Sequence, residues 1–125
     1  SNKHESNFIG VKIEANKSVM LSNMEGCELG VWISHGEGNF RLPESADSYN
    51  VVGTYSYEAY PANPNGSDLN AAMLCDASGR HLVSMPHMER SIFSWNWAHY
   101  PDRDNHQVSP WIKAFENARN WILNS

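Results

Sequence analysis

The chain has 125 residues, 41% of them hydrophobic, a size that suits one compact domain and leaves little room for a second. Its formal charge is -5 with Lys and Arg scattered singly, so no basic stripe is present to neutralise a run of phosphates or to lie on an anionic membrane. No apolar segment approaches the roughly 20 residues that cross a bilayer, the start "SNKHESNF" lacks the blocks of a signal peptide, and Cys27 and Cys75 form no C-x-x-C pair, so the expectation is a soluble, cytoplasmic protein in a reducing compartment.

Ile9, Val11 and Ile13 alternate with less apolar neighbours, which predicts a half-buried strand near residues 8 to 14. "LGVWIS" (29 to 34) is a short unbroken apolar run, too short for a helix, and predicts a strand buried on both faces that ends at the polar "HGEGN". "NVVGTYSYE" (50 to 58) is rich in Val, Thr and Tyr and predicts another strand. The stretch "AYPANPNGSD" that follows is dense in Pro, Asn and Gly and predicts an ordered loop. "AAMLC" and "HLVSM" flank "DASGR", so residues 71 to 85 predict an antiparallel pair, which Pro86 ends by removing a donor. "SIFSWNWAHYPDRDNHQV" carries four large aromatics without a period and predicts a loop pinned by them. Ser109 can cap and Pro110 can begin a final helix whose face Trp111, Phe115, Ala118 and Ile122 would pack on a sheet. The sequons at Asn16 and Asn65 are too short to weigh. The chain opens on Ser1-Asn2 without Met, which allows it to be part of a longer polypeptide.

Two H-x-E stretches stand just after predicted strands, His35 with Glu37 and His87 with Glu89, where α/β folds place their chemistry. Either His can equally be a polar residue satisfied by a backbone carbonyl. Two His and two carboxylates could also ligate a metal ion, but H-E-x-x-H is absent and no P-C-x-x-C completes a zinc deaminase pattern. A base with an orienting carboxylate needs a nucleophile. Cys27, in "MEGCELG", and Cys75, before "DASG", lack the helix that would lower a thiol pKa, and no serine sits in G-x-S-x-G. The residues supply half of a triad.

"GVWISHGEGNF", "YPANPNGS", "GRHLVSMPHMERSIFSW" and "SPWIKAFENARNW" follow one another in the order and spacing of the phosphoribosylformylglycinamidine synthase family, near its carboxyl end. The chain resembles that family from about Phe8 onward. The resemblance implies an α/β fold, the C-terminal half of a class I, flavodoxin-like glutamine amidotransferase domain, with the nucleophile-bearing half outside residues 1 to 125. It implies that His87 is the triad histidine and Glu89 the triad carboxylate, and that Ser34, His35, Gly36 and Glu37 lie along bound glutamine. By the same resemblance the ammonia released serves a synthetase domain that uses ATP and magnesium to make formylglycinamidine ribonucleotide, while this chain binds no cofactor itself. The chain departs from the family at Met88, where Pro is usual.

Two readings follow. The first is part of a glutamine-hydrolysing enzyme of purine biosynthesis, inactive as an isolated chain. The alternative is a non-enzymatic glutamine-binding or regulatory module. If strands are missing before residue 1, the edge near residues 29 to 35 would promote self-association.

Overall fold

The computed structural model describes residues 4–35, 39–45, 48–56, 67–98 and 108–124. Five strands and one helix order them: β1 Glu5–Ile13, β2 Glu28–His35, β3 Asn50–Tyr55, β4 Ala71–Cys75, β5 Leu82–Ser84 and α1 Ile112–Leu123. The strands form one sheet in the order β2-β1-β3-β4-β5, and each neighbouring pair is antiparallel. The α/β class and the C-terminal helix are as expected, and the antiparallel hairpin is one part of a sheet that is antiparallel throughout.

The period of two in β1 sends Ile9, Val11 and Ile13 into the core, where they meet Val31, Ile33, Val52 and Met73. Phe8 stands opposite Trp32 and Gly10 opposite Gly30 on the other face. Gly30 is small for a reason: the Phe8 ring lies over it, and a Cβ there would come within 2.4 Å of that ring. Phe8 also meets Trp32 edge-on at 5.0 Å and Trp97 at 5.6 Å between ring centres.

This arrangement corrects the reading of β2. The strand is not buried on both faces: Leu29, Val31 and Ile33 are buried, whereas Gly30, Trp32 and Ser34 are half-buried under the aromatic cluster. Its apolar run is unbroken because aliphatic groups cover one face and aromatic rings partly cover the other. β2 is also an outermost strand, yet the chain's own groups occupy its outer edge. The Trp111 indole N–H donates to Gly30 O at 2.8 Å, and the His87 N–H donates to Trp32 O at 2.8 Å. Edge groups satisfied in this way are poor templates for a second chain.

β3 carries a bulge at Val52 and Gly53, and Ser56 N–H continues its pairing to Gly10 O. The predicted end of that strand at residues 57 and 58, and residues 59 to 66 of the proline-rich loop, lie outside the described residues. The β4–β5 pair forms as expected, with Met73 opposite Ser84 and Cys75 opposite Leu82.

The final helix begins at Ile112, after the Ser109 hydroxyl has accepted the Trp111 N–H. The predicted packing face is corrected: Trp111 and Ala114 are buried, while Phe115 and Ile122 are exposed. Asn117 explains the rotation, since its amide donates to Met20 O at 2.9 Å and to Ser22 O at 2.7 Å. The seam therefore runs through residues 111, 114, 117 and 118, with one polar member that apolar periodicity could not signal.

Candidate active site

β5 ends at Ser84, and Pro86 prevents the chain from continuing in the ladder. His87 then adopts an extended conformation, φ -104° and ψ 90°, and pairs with Trp32 as a single antiparallel bridge on the outer edge of β2. A 3-10 turn over Met88–Arg90 reverses the chain, closed by Arg90 N–H to His87 O at 3.2 Å and Ser91 N–H to Met88 O at 2.9 Å. The turn buries Met88 among the core residues and returns Glu89 to the His87 ring. Met88 therefore keeps an apolar anchor at the position where the resembled family carries Pro. It opens a short helical turn, a place that also suits proline.

The His87 Nδ1 to Glu89 Oε1 distance is 2.7 Å. An ionised carboxylate only accepts, so Nδ1 bears a proton, and in the neutral form of the ring Nε2 would keep its lone pair. Nε2 lies 3.5 Å from Ser34 O, itself an acceptor, so that contact becomes a hydrogen bond only when the ring is doubly protonated. Partial burial pushes the Glu89 pKa up, but the bond from His87, its own backbone N–H and the charges of His87 and Arg90 together hold it below the usual value. Glu89 is thus ionised at neutral pH and can hold the ring in one tautomer and stabilise an imidazolium.

The structure brings together three of the six residues singled out in the sequence: His87, Glu89 and Ser34. The Ser34 hydroxyl is shared with the His4 ring at 3.0 Å, which leaves its carbonyl to face His87. His35 follows in the same strand and by alternation sends its side chain to the opposite face. Gly36 and Glu37 lie outside the described residues. A cleft of about 290 Å³, lined by Ser6, Trp32, Ile33, Ser34, Arg90 and Asn96, opens beside Ser34. Neither cysteine has the setting of a nucleophile. Burial and the charge of Asp76 push the Cys75 thiol up, against a smaller opposing effect of Lys17, and Cys27 packs half-buried against the core just before β2.

Two features escaped the sequence reading. Ser91 is fully buried beside His87 and has no motif to mark it. His81 and Asp76 form a second pair at 2.8 Å across the β4–β5 turn, a contact that only the hairpin's closure creates.

A histidine whose Nδ1 is held by a carboxylate at a strand end, with its second nitrogen turned to a strand carbonyl, is an arrangement able to orient a base on an α/β scaffold. Residues 1–122 match the family described as CobB/CobQ-like glutamine amidotransferase domain, and the chain belongs to that family. It is 39% identical over 142 residues to the probable phosphoribosylformylglycinamidine synthase, chloroplastic/mitochondrial, of Arabidopsis thaliana. It is 40% identical over 136 residues to the phosphoribosylformylglycinamidine synthase of Homo sapiens. Each alignment takes in 98% of this chain and 10% of the relative, so the chain spans about a tenth of the length of these relatives. The structure of PurLQS from Thermotoga maritima has the same fold over 97% of this chain and 49% of that one, with a TM-score of 0.70 at 24% identity.

Proposed function

We propose that this chain contributes the base and its orienting carboxylate to a glutamine-hydrolysing site of a phosphoribosylformylglycinamidine synthase. The 2.7 Å bond from His87 Nδ1 to Glu89, with Nε2 directed at the Ser34 carbonyl, is the observation that carries the reading. In it, the sheet is the second half of a class I, flavodoxin-like domain, and a cysteine thiolate from outside residues 1–125 attacks the side-chain amide carbon of glutamine. His87 Nε2 takes the proton of the thiol as that thiolate forms and delivers it to the departing ammonia, leaving a thioester. It then takes a proton from the water that hydrolyses the thioester to glutamate, while Glu89 holds Nδ1 throughout. Ser34 and His35, with Gly36 and Glu37, lie along the glutamine mostly through backbone groups, since the His35 side chain turns to the other face. The ammonia passes to a synthetase domain, which consumes ATP with magnesium to convert formylglycinamide ribonucleotide to the amidine; neither is held by this chain. The cytoplasm is the proposed compartment, and no helix among the described residues is long and apolar enough to cross a membrane.

The test is His87→Ala in the full-length protein. Glutamine-dependent synthesis should vanish and synthesis from added ammonium salt should persist, because the base serves only hydrolysis. Loss of both in a folded variant would remove the assignment. The isolated 125-residue chain should release no glutamate from glutamine above the buffer blank. Release abolished by Cys27→Ala or Cys75→Ala would show that the nucleophile lies within it. Glutamine binding by a full-length protein that never hydrolyses it would favour a regulatory module instead.

A further inference from the structure

We infer that Ser91 is a positioning residue for the His87 imidazole, an inference that rests on the glutaminase reading above. Three hydrogen bonds close a cycle among Trp32, Ser91 and His87. The Trp32 N–H donates to Ser91 Oγ at 3.3 Å, the Ser91 hydroxyl donates to His87 O at 3.2 Å, and the His87 N–H donates to Trp32 O at 2.8 Å. Ser91 thereby clamps the outer edge of β2 to the backbone of the base. Two residues further along the same strand is Ser34, whose carbonyl faces Nε2 at 3.5 Å. The cycle therefore sets where the ring stands relative to both Ser34 and the adjoining cleft. Glu89 fixes the tautomer, and Ser91 fixes the backbone from which the ring projects.

The rest of Ser91 is equally committed. Its carbonyl accepts from Trp97 Nε1 at 2.8 Å and from the Ser109 hydroxyl at 2.5 Å. A fully buried serine with both its hydroxyl and its carbonyl bonded has little freedom to move. Replacing it with alanine would leave the Trp32 N–H without this acceptor and let the 87–91 turn shift against β2. A displacement of about 1 Å at a reacting group costs on the order of 100-fold in rate.

The test has two arms. In the full-length protein, Ser91→Ala should lower glutaminase kcat by about 10- to 100-fold, leave KM for glutamine within a few-fold and spare synthesis from ammonium salt. In the 125-residue chain, nitrogen NMR of the His87 ring should show a protonated Nδ1 and a bare Nε2. In Ser91→Ala the Nδ1 proton should exchange faster and the other tautomer should become populated. Trp97→Phe, which removes the bond to the Ser91 carbonyl and leaves the three bonds of the cycle in place, should lower stability without changing the ring. Ser91→Cys, nearly the same in shape but a weaker hydrogen-bonding group, serves if the alanine variant does not fold, with the same ring signature expected. A folded Ala or Cys variant with wild-type ring signals and wild-type kcat would overturn the inference, as would a Trp97→Phe variant that disturbs the ring equally. Ring signals that depend on Ser91 in a protein without glutaminase activity would support the positioning and overturn the glutaminase reading alone.

Discussion

Two histidine–carboxylate pairs of nearly equal length stand close together in the chain, and their surroundings separate them. His87 meets Glu89 at 2.7 Å and His81 meets Asp76 at 2.8 Å. The His81 side chain is 73% exposed, while that of His87 is 29% exposed. Asp76 is a turn-closing residue: bonds from His81 and Ser78 hold its pKa well below the usual value, against a smaller opposing effect of desolvation. Its carboxylate also accepts the His81 backbone N–H at 3.3 Å, an arrangement that ties the two ends of the β4–β5 turn. His87 has its own backbone bonded to β2 and its second nitrogen facing Ser34. A short bond between imidazole and carboxylate is therefore not a site by itself; the lower exposure of His87 and its place on the edge of β2 beside Ser34 make the difference.

The largest effect that can break this comparison is chemical. Glu89→Gln in the full-length protein should lower glutaminase kcat by about 100- to 10,000-fold, because an amide can hold the ring in the wrong tautomer. Asp76→Asn should leave that rate unchanged. Equal losses in the two variants would show that both pairs act only through stability.

A second comparison concerns what each turn does for the fold. Gly79 has φ 76°, its carbonyl accepts the Val19 N–H at 2.8 Å, and a Cβ there would come within 2.0 Å of the Lys17 carbonyl oxygen. Gly79→Ala should destabilise the chain by about 2 kcal/mol or more, read from the denaturant midpoint, because both the backbone angle and the close approach must change. The His87 ring signals should stay as in the wild type.

The smallest effect is in the pH dependence. Glu89 is lowered in the folded state from 4.5, so its contribution to stability is present above that unfolded value and is lost as pH falls through the lower folded one. Urea midpoints measured from about pH 6 to about pH 3 should fall less steeply for Glu89→Gln than for the wild type. The difference should shrink in high salt, since the carboxylate is largely exposed. A steeper fall in the variant would mean that Glu89 is stabilised in the unfolded chain instead.

Much of the architecture was written locally. Alternation in Ile9, Val11 and Ile13, the turn residues of "DASGR" and the Ser109-Pro110 start each specify a short-range geometry, and β1, the β4–β5 pair and α1 form where those signals stand. Spacing also placed His87 and Glu89 within reach, because two residues in one tight turn can meet without help from elsewhere. Tertiary structure decided what surrounds them. Burial on each face of β2 depended on Phe8 and Trp97, residues distant in sequence that cover the Gly30 side of the strand. The packed seam of α1 depended on carbonyls at Met20 and Ser22 that select Asn117. The outer edge of β2, the Ser91 cycle and the meeting of His87 with Ser34 join residues more than fifty positions apart. Hydrophobic period and turn chemistry report a residue's neighbours along the chain, whereas a long-range hydrogen bond between common polar groups has no sequence period, so those contacts became visible only once the sheet had formed.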